Sequence, residues 1–182
     1  MRFDTRILVT ACSVIVSCAA PNVGVAQASS LTAMDYIEIQ QLVAKFSFAL
    51  DYCTNRGKDF ADLFIEGGTY SIDSGDGNPR VSSTREQLER LAGGPDCATV
   101  KPGPTESPAG RSDVRHLSES LVVEAAPGGA RGKSYAIYPA NKGRFIDAAT
   151  AGQVGIFVDE YVRTSNGWRF KSRVHVLSPP IG

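Results

Sequence analysis

Between Met34 and Leu50 the apolar residues Tyr36, Ile37, Ile39, Leu42, Val43, Phe46, Ala49 and Leu50 recur at steps of three and four. That period predicts an amphipathic helix with a wide buried stripe. Thr32, followed three residues on by Asp35, has the form of a capping box and marks its start. A shorter helix is predicted over Lys58 to Phe64, where Phe60, Leu63 and Phe64 share a face, with Gly67-Gly68 as its stop. Thr69 to Ile72 reads as a strand running into the turn-rich Ser74-Gly75-Asp76-Gly77-Asn78-Pro79. Ser83 followed by Glu86 marks a further helix start, with Leu88 and Leu91 as the inner face and Gly93-Gly94 as the end.

The pattern then changes. Pro95 to Asp113 is rich in Pro, Gly and Ser and reads as a long surface loop, a candidate lid. After it, Val114 to Glu124, Ala130 to Tyr138, Val154 to Thr164 and Trp168 to Val176 are rich in β-branched and aromatic residues and are predicted strands. Pro127-Gly128-Gly129 and Ser165-Asn166-Gly167 are hairpin signals, the second the stronger because Asn-Gly favours primed turns. Helices first and an antiparallel sheet after them predict an α+β domain with the helices packed on one sheet face.

The amino terminus falls outside this pattern. Arg2 and Arg6 precede an apolar stretch from Ile7 to Ala20, and a short polar segment then ends in Ala26-Gln27-Ala28. This is the layout of a cleavable secretory signal over residues 1–28, leaving one domain over residues 29–182 in the periplasm or outside the cell. The apolar stretch is shorter than the roughly 20 residues of a spanning helix, so no membrane is expected as a partner of the mature form. Ile15-Val16-Ser17-Cys18 offers a rival reading, a lipoprotein box that would leave a lipidated Cys18.

Charge and cysteine content narrow the classes further. Nineteen basic and nineteen acidic residues cancel, which argues against nucleic acid or an anionic membrane as the main partner. Of four cysteines, Cys53 and Cys97 survive removal of the signal, and an oxidising compartment permits a bridge between them. With only His116 and His175 in the chain, a histidine-rich metal site is excluded, and no metal is expected. The phosphate-cradling, dinucleotide-binding and nucleophile-elbow glycine motifs are absent.

Particular residues then acquire meaning together. Phe48-Ala49-Leu50-Asp51, Asp59-Phe60, Leu63-Phe64, Arg115-His116-Leu117, Ser134-Tyr135, and Asp159-Glu160-Tyr161-Val162-Arg163-Thr164 leading through Asn166-Gly167-Trp168-Arg169-Phe170 to Arg173 follow one another across residues 33–176. In order and spacing they resemble the SnoaL-like family of the nuclear transport factor 2 superfold. The resemblance implies a cone-shaped α+β barrel, a curved and mostly antiparallel sheet wrapped around the long N-terminal helix, with an apolar interior for a ligand. Scytalone dehydratase, polyketide cyclases, ketosteroid isomerase relatives and lyases of lignin-derived aromatics belong there. They move protons without a cofactor, so none is expected. A homodimer or homotrimer is the implied assembly, and other members bind or dimerise without catalysis.

Two residues carry the candidate chemistry. Asp51 follows Phe48-Ala49-Leu50 at the end of the long helix, where it is either a helix-end hydrogen-bonding residue or an acid or base in an apolar pocket. His116 is suited to proton exchange at neutral pH, and alternation would place His116, Ser118 and Ser120 on one face. That face is either the pocket lining or the wet side of the sheet. By the resemblance to the dehydratase, Asp51 and His116 form a catalytic acid–base pair, although the dehydratase's second histidine has no obvious counterpart. Tyr52, Tyr70 and Tyr135 are candidate hydroxyl donors. Gly155, Phe157, Asp159 and Tyr161 alternate onto one face, which by the resemblance lines the cone, with Phe157 as a wall against the substrate. Arg173 is suited to anchoring an acid group, but its alternation with Lys171 and His175 more simply describes a solvated or interface face. These expectations describe an exported lyase or isomerase for a small hydrophobic, aromatic or polycyclic compound, lignin-derived aromatics included. The alternative is a non-catalytic ligand-binding or dimerisation module.

Overall fold

The computed structural model describes residues 30–95, 115–139 and 151–177. The signal segment, the Cys18 lipoprotein box, Cys97 and almost all of the proline-rich loop lie outside these residues. In chain order the described elements are α1 (Ala33–Tyr52), a tight helical turn (Thr54–Gly57), α2 (Lys58–Ala61), β1 (Phe64–Asp73), β2 (Arg80–Ser82), α3 (Arg85–Leu91), β3 (Leu117–Ala126), β4 (Gly129–Pro139), β5 (Ala151–Thr164) and β6 (Gly167–Leu177).

The strands form one sheet in the order β2-β1-β6-β5-β4-β3. All neighbours are antiparallel except β1 and β6, which run parallel. The fold is therefore α+β, as the element order predicts. Curvature follows from contacts that a flat sheet forbids. The β6 residue Arg173 hydrogen-bonds Ser118 of the edge strand β3, although β5 and β4 lie between them. Three strand spacings are about 14 Å, beyond the reach of an arginine, so the sheet must curl. Helix α1 lies in the concavity and touches both β6 and β3.

Helix α1 starts where the capping box puts it. The Thr32 hydroxyl accepts from the Asp35 amide, and the Asp35 carboxylate accepts from the Thr32 amide at 2.8 Å. Asp35 also accepts from Trp168 Nε1 at 3.0 Å and from Arg163, which fastens the helix to the β5–β6 hairpin. The inner stripe is narrower than the sequence suggests: Tyr36 and Ile37 are exposed, whereas Ile39, Leu42, Val43, Phe46, Ala49 and Leu50 are buried. Phe46 is at the centre, its ring 5.1 Å from Phe60, 5.6 Å from Phe157, 5.7 Å from Tyr70 and 6.0 Å from Phe170.

Several boundaries differ from the sequence reading. The second helix ends at Ala61, and Phe64 already belongs to β1. Gly67-Gly68 does not stop a helix but lies in β1, where the register against β6 shifts between Phe64 and Thr69. The third helix is capped by Thr84 with Gln87, one residue later than Ser83 with Glu86. Ser83 and Thr84 both satisfy the capping pattern, and local sequence does not choose between them.

Candidate functional site

Asp51 sits in the last turn of α1, which ends at Cys53 in the left-handed conformation, φ 51°. Its carboxylate is buried and faces His116, immediately before β3. One oxygen accepts the His116 backbone N–H at 3.0 Å, and the other meets His116 Nδ1. A carboxylate on Nδ1 holds the proton there and leaves the Nε2 lone pair as the basic site. Two contacts from one carboxylate fix both the backbone and the ring of the histidine. The His116 side chain keeps 16% exposure, so the dyad lies at the boundary of the buried interior.

Behind the dyad is a buried polar network. The Tyr138 ring stands edge-on to His116 with centroids 4.4 Å apart. Its hydroxyl lies 3.2 Å from His175 Nδ1 and interacts with that of Tyr70. Burial raises both tyrosines above the ordinary phenol range. Burial, with the nearby His116 and Arg173, lowers His175 to about 4. His175 is therefore neutral at pH 7, with Nδ1 accepting from Tyr138. Space for its ring comes from Gly155: a Cβ there would stand 2.9 Å from His175 Nε2.

Arg173 is fully buried. Its guanidinium stacks 3.7 Å from the Phe157 ring centroid and 4.2 Å from that of Phe46 and donates to Ser118 Oγ at 2.9 Å. Nε faces Asp159 Oδ1 at 3.6 Å, too long for a hydrogen bond. Burial raises the Asp159 carboxyl despite the arginine and the Tyr161 hydroxyl, which donates to it at 2.7 Å. A buried cation thus lies against Phe157, the residue that the resemblance puts on the lining.

The expected site residues therefore separate. Asp51, His116, Tyr70 and Phe157 lie on this network or its walls. Tyr52 does not: it is 41% exposed, stacked on Phe48 with Arg115 over its ring. Tyr135 is 56% exposed, on the outer face of the sheet opposite Ile156. Ser120 is also exposed, because β3 bulges between Glu119 and Val122 and Ser120 takes φ 56°. Ser118 alone continues the inward face. Arg173 and His175 correct the sequence reading most strongly. They are buried on the concave side, and Lys171, exposed, pairs with Glu160 on the other. The cause is a bulge in β6, where the register against β5 shifts between Glu160 and Tyr161. Nothing in the sequence picks out Tyr138, because its place at the end of β4 gives no local signal.

A cleft of ≈ 690 Å³ runs along α1 past Ile37, Lys45 and Phe48, but neither Asp51 nor His116 lines it. A buried carboxylate that orients an imidazole is found at the dyad instead. Among the described residues no three His, Cys, Asp or Glu side chains gather as a metal site.

Comparison with solved structures returns the same architecture. An NTF2-like protein with a cystatin-like fold from Novosphingobium aromaticivorans superposes with a TM-score of 0.62 at 17% identity, over 81% of this chain and 84% of that one. From the same organism, a proposed aromatic ring hydroxylase gives 0.56 at 16%, over 82% and 93%. A proposed scytalone dehydratase gives 0.53 at 15%, over 80% and 85%. At such identities the likeness is one of fold. No curated protein matches the chain. Residues 32–174, from the helix cap at Thr32 to the strand that carries Arg173, match the SnoaL-like domain, and the chain belongs to that family.

Proposed function

We propose that the chain is an exported, cofactor-independent lyase or isomerase acting by acid–base chemistry on a small hydrophobic, aromatic or polycyclic compound. The observation that supports this reading is the double grip of Asp51 on His116, by the backbone N–H and by ring Nδ1. A carboxylate on Nδ1 fixes the tautomer and orientation of a ring that keeps 16% exposure, which is the arrangement of a positioned base.

In this reading His116 Nε2 removes a proton from a carbon beside a carbonyl or an aromatic ring. Asp51 stabilises the imidazolium that forms. The buried Arg173 charge, stacked on Phe157, favours negative charge building on the substrate. The imidazolium then returns its proton, either to a departing hydroxyl, which leaves as water, or to another carbon. Each cycle restores neutral His116, so no co-reactant is needed. Two fold neighbours described as a proposed dehydratase and a proposed aromatic ring hydroxylase suit the same substrate class.

The test is incubation of the purified protein with a panel of aromatic hydroxy compounds, followed by mass spectrometry. Loss of water, or an isomer of unchanged mass, is expected and should vanish in His116→Ala. Ligands that bind without conversion would replace this reading with the ligand-binding alternative.

A further inference from the structure

Three buried side chains around the Phe157 ring carry polar atoms that meet no partner. In the sheet register Phe157 lies opposite Ser134 of β4 on one side and opposite His175 of β6 on the other, and the Arg173 guanidinium stands 3.7 Å from its centroid. Arg173 is 0% exposed, His175 1% and Ser134 4%. Yet Arg173 Nε and Nη1, Ser134 Oγ and His175 Nε2 have no hydrogen-bond partner among the described residues. Buried polar atoms are almost always paired, and leaving a charged donor unmet is costly. Such atoms gathered around one ring describe a place that receives acceptor oxygens from outside the chain.

We propose that this place binds the carboxylate of an aromatic acid, and that the substrate carries this group. The inference rests on the reading that substrate enters the concave interior beneath the Asp51–His116 dyad.

The donors select the ligand. All of them can give a proton: the guanidinium carries a full positive charge, Ser134 offers its hydroxyl, and His175, with Nδ1 accepting from Tyr138, carries its hydrogen on Nε2. Asp159 does not take their place. It stands 3.6 Å from Arg173 Nε, beyond hydrogen-bond reach, with its other oxygen held by Tyr161 at 2.7 Å. One cation suits a monoanion, and the planar edge of a guanidinium matches a carboxylate. The rings of Phe157, Phe46 and Phe170 lie 3.7, 4.2 and 5.0 Å from the guanidinium carbon, which suits an aromatic body behind the charge. Ser118, the acceptor of Arg173 Nη2, is two residues from His116, so at most roughly 7 Å of chain separates anchor from dyad. An acid anchored there spans that gap with one benzene ring and brings a carbon on its far side to His116.

The experiment is isothermal titration calorimetry of the full chain with benzoate, 4-hydroxybenzoate and 4-hydroxycinnamate, each beside its primary amide, which keeps the shape and removes the charge. The titrations are made in wild type and in His116→Ala, where conversion contributes no heat. At least one acid should bind about tenfold or more tighter than its amide, as hydrogen bonds to a charged group imply. Arg173→Gln should abolish that preference and Arg173→Lys keep part of it, with circular dichroism to verify folding. Ser134→Ala removes one hydroxyl, should fold as wild type, and should narrow the preference at least about threefold, so the question is decided even where Arg173 variants do not fold. Acids bound no tighter than amides, as when water alone meets these donors, would overturn the proposal. So would the absence of acid binding at millimolar concentration, or a preference unchanged in folded Arg173→Gln or in Ser134→Ala. Acids that bind with this preference and are never converted would refute the acid–base activity and leave the anchor standing; turnover of neutral aromatics with no preference for acids would do the reverse.

Discussion

Asp51 and His116 meet from positions 65 residues apart in the chain, and what joins them is one carboxylate making two contacts. Asp51→Asn should spoil one of the two, because the amide has a single acceptor oxygen and must turn its NH2 toward either the His116 backbone N–H or Nδ1–H, which loosens the ring. Asp51→Asn and His116→Ala are each expected to lower turnover by about 10²–10⁴-fold, the usual worth of a positioned general base. Melting should stay close to that of the wild type and is to be measured beside the rates. Near wild-type turnover in both variants would remove the dyad from the chemistry. His175 makes a separate prediction. Its pKa falls from 6.5 unfolded to about 4 folded, so the unfolded chain binds the extra proton first. Stability attributable to His175 is intact above pH 6.5 and declines as pH falls toward 4. His175→Asn should flatten that part of the curve of melting temperature against pH, while a wild-type acid slope in the variant would assign the slope to other groups.

At the scale of elements, the sequence carries the helix well and the inward faces of the strands poorly. The α1 cap and core stripe are local: Thr32 and Asp35 sit three apart, and the apolar period survives over four turns. Alternation in a strand is equally local, but one extra residue inverts every later side chain. Trp168, Phe170, Arg173 and His175 all face the core, and the step of three between Phe170 and Arg173 is the only trace of the bulge in the sequence. Read as strict alternation, it sends Arg173 and His175 to solvent. Ser120 is misplaced for the same reason in β3. Tyr70 and Tyr138 face each other only because the sheet curls, which no pattern of two or three residues records.

The start of α1 yields a prediction from Asp35. The Thr32 backbone and side-chain hydrogen bonds, with those from Trp168 and Arg163, hold its carboxyl at about 2 against an ordinary 3.8. A lowered folded pKa stabilises above 3.8, and that stabilisation is lost as pH falls toward 2. Asp35→Asn should therefore melt lower than wild type at neutral pH, with the gap closing near pH 2. A pH-independent gap would show that the amide's shape, not the charge, sets the difference. Gly57 tests the turn after α1. It adopts φ 81°, and a Cβ would overlap the Glu89 carbonyl of α3. Gly57→Ala should destabilise by more than about 1 kcal/mol in urea unfolding, since backbone strain and displacement of α3 add.

Across the whole molecule, an aromatic junction around Phe46 holds helix to sheet, and a covalent link fastens the end of α1. Cys53, at the end of α1 and two residues from Asp51, is disulfide-bonded, a state that persists in the oxidising compartment to which the amino-terminal segment directs the chain in our reading. The other three cysteines lie outside the described residues. In our reading cleavage before Ser29 removes Cys12 and Cys18, and we propose Cys97 as the partner. Closing the intervening loop should stabilise the fold by roughly 3–4 kcal/mol through the lost freedom of the unfolded chain. The exported protein should therefore begin at Ser29 by intact-mass analysis, and non-reducing peptide maps should join Cys53 to Cys97. Reduction should lower the melting temperature. Because the bond lies so close to Asp51, turnover should also decline below the melting transition, as the helix end that aims the carboxylate loosens. Two freely alkylated thiols in the exported protein would refute the pairing. Reduction that lowered stability and left turnover unchanged would show that α1 aims Asp51 through its core packing alone.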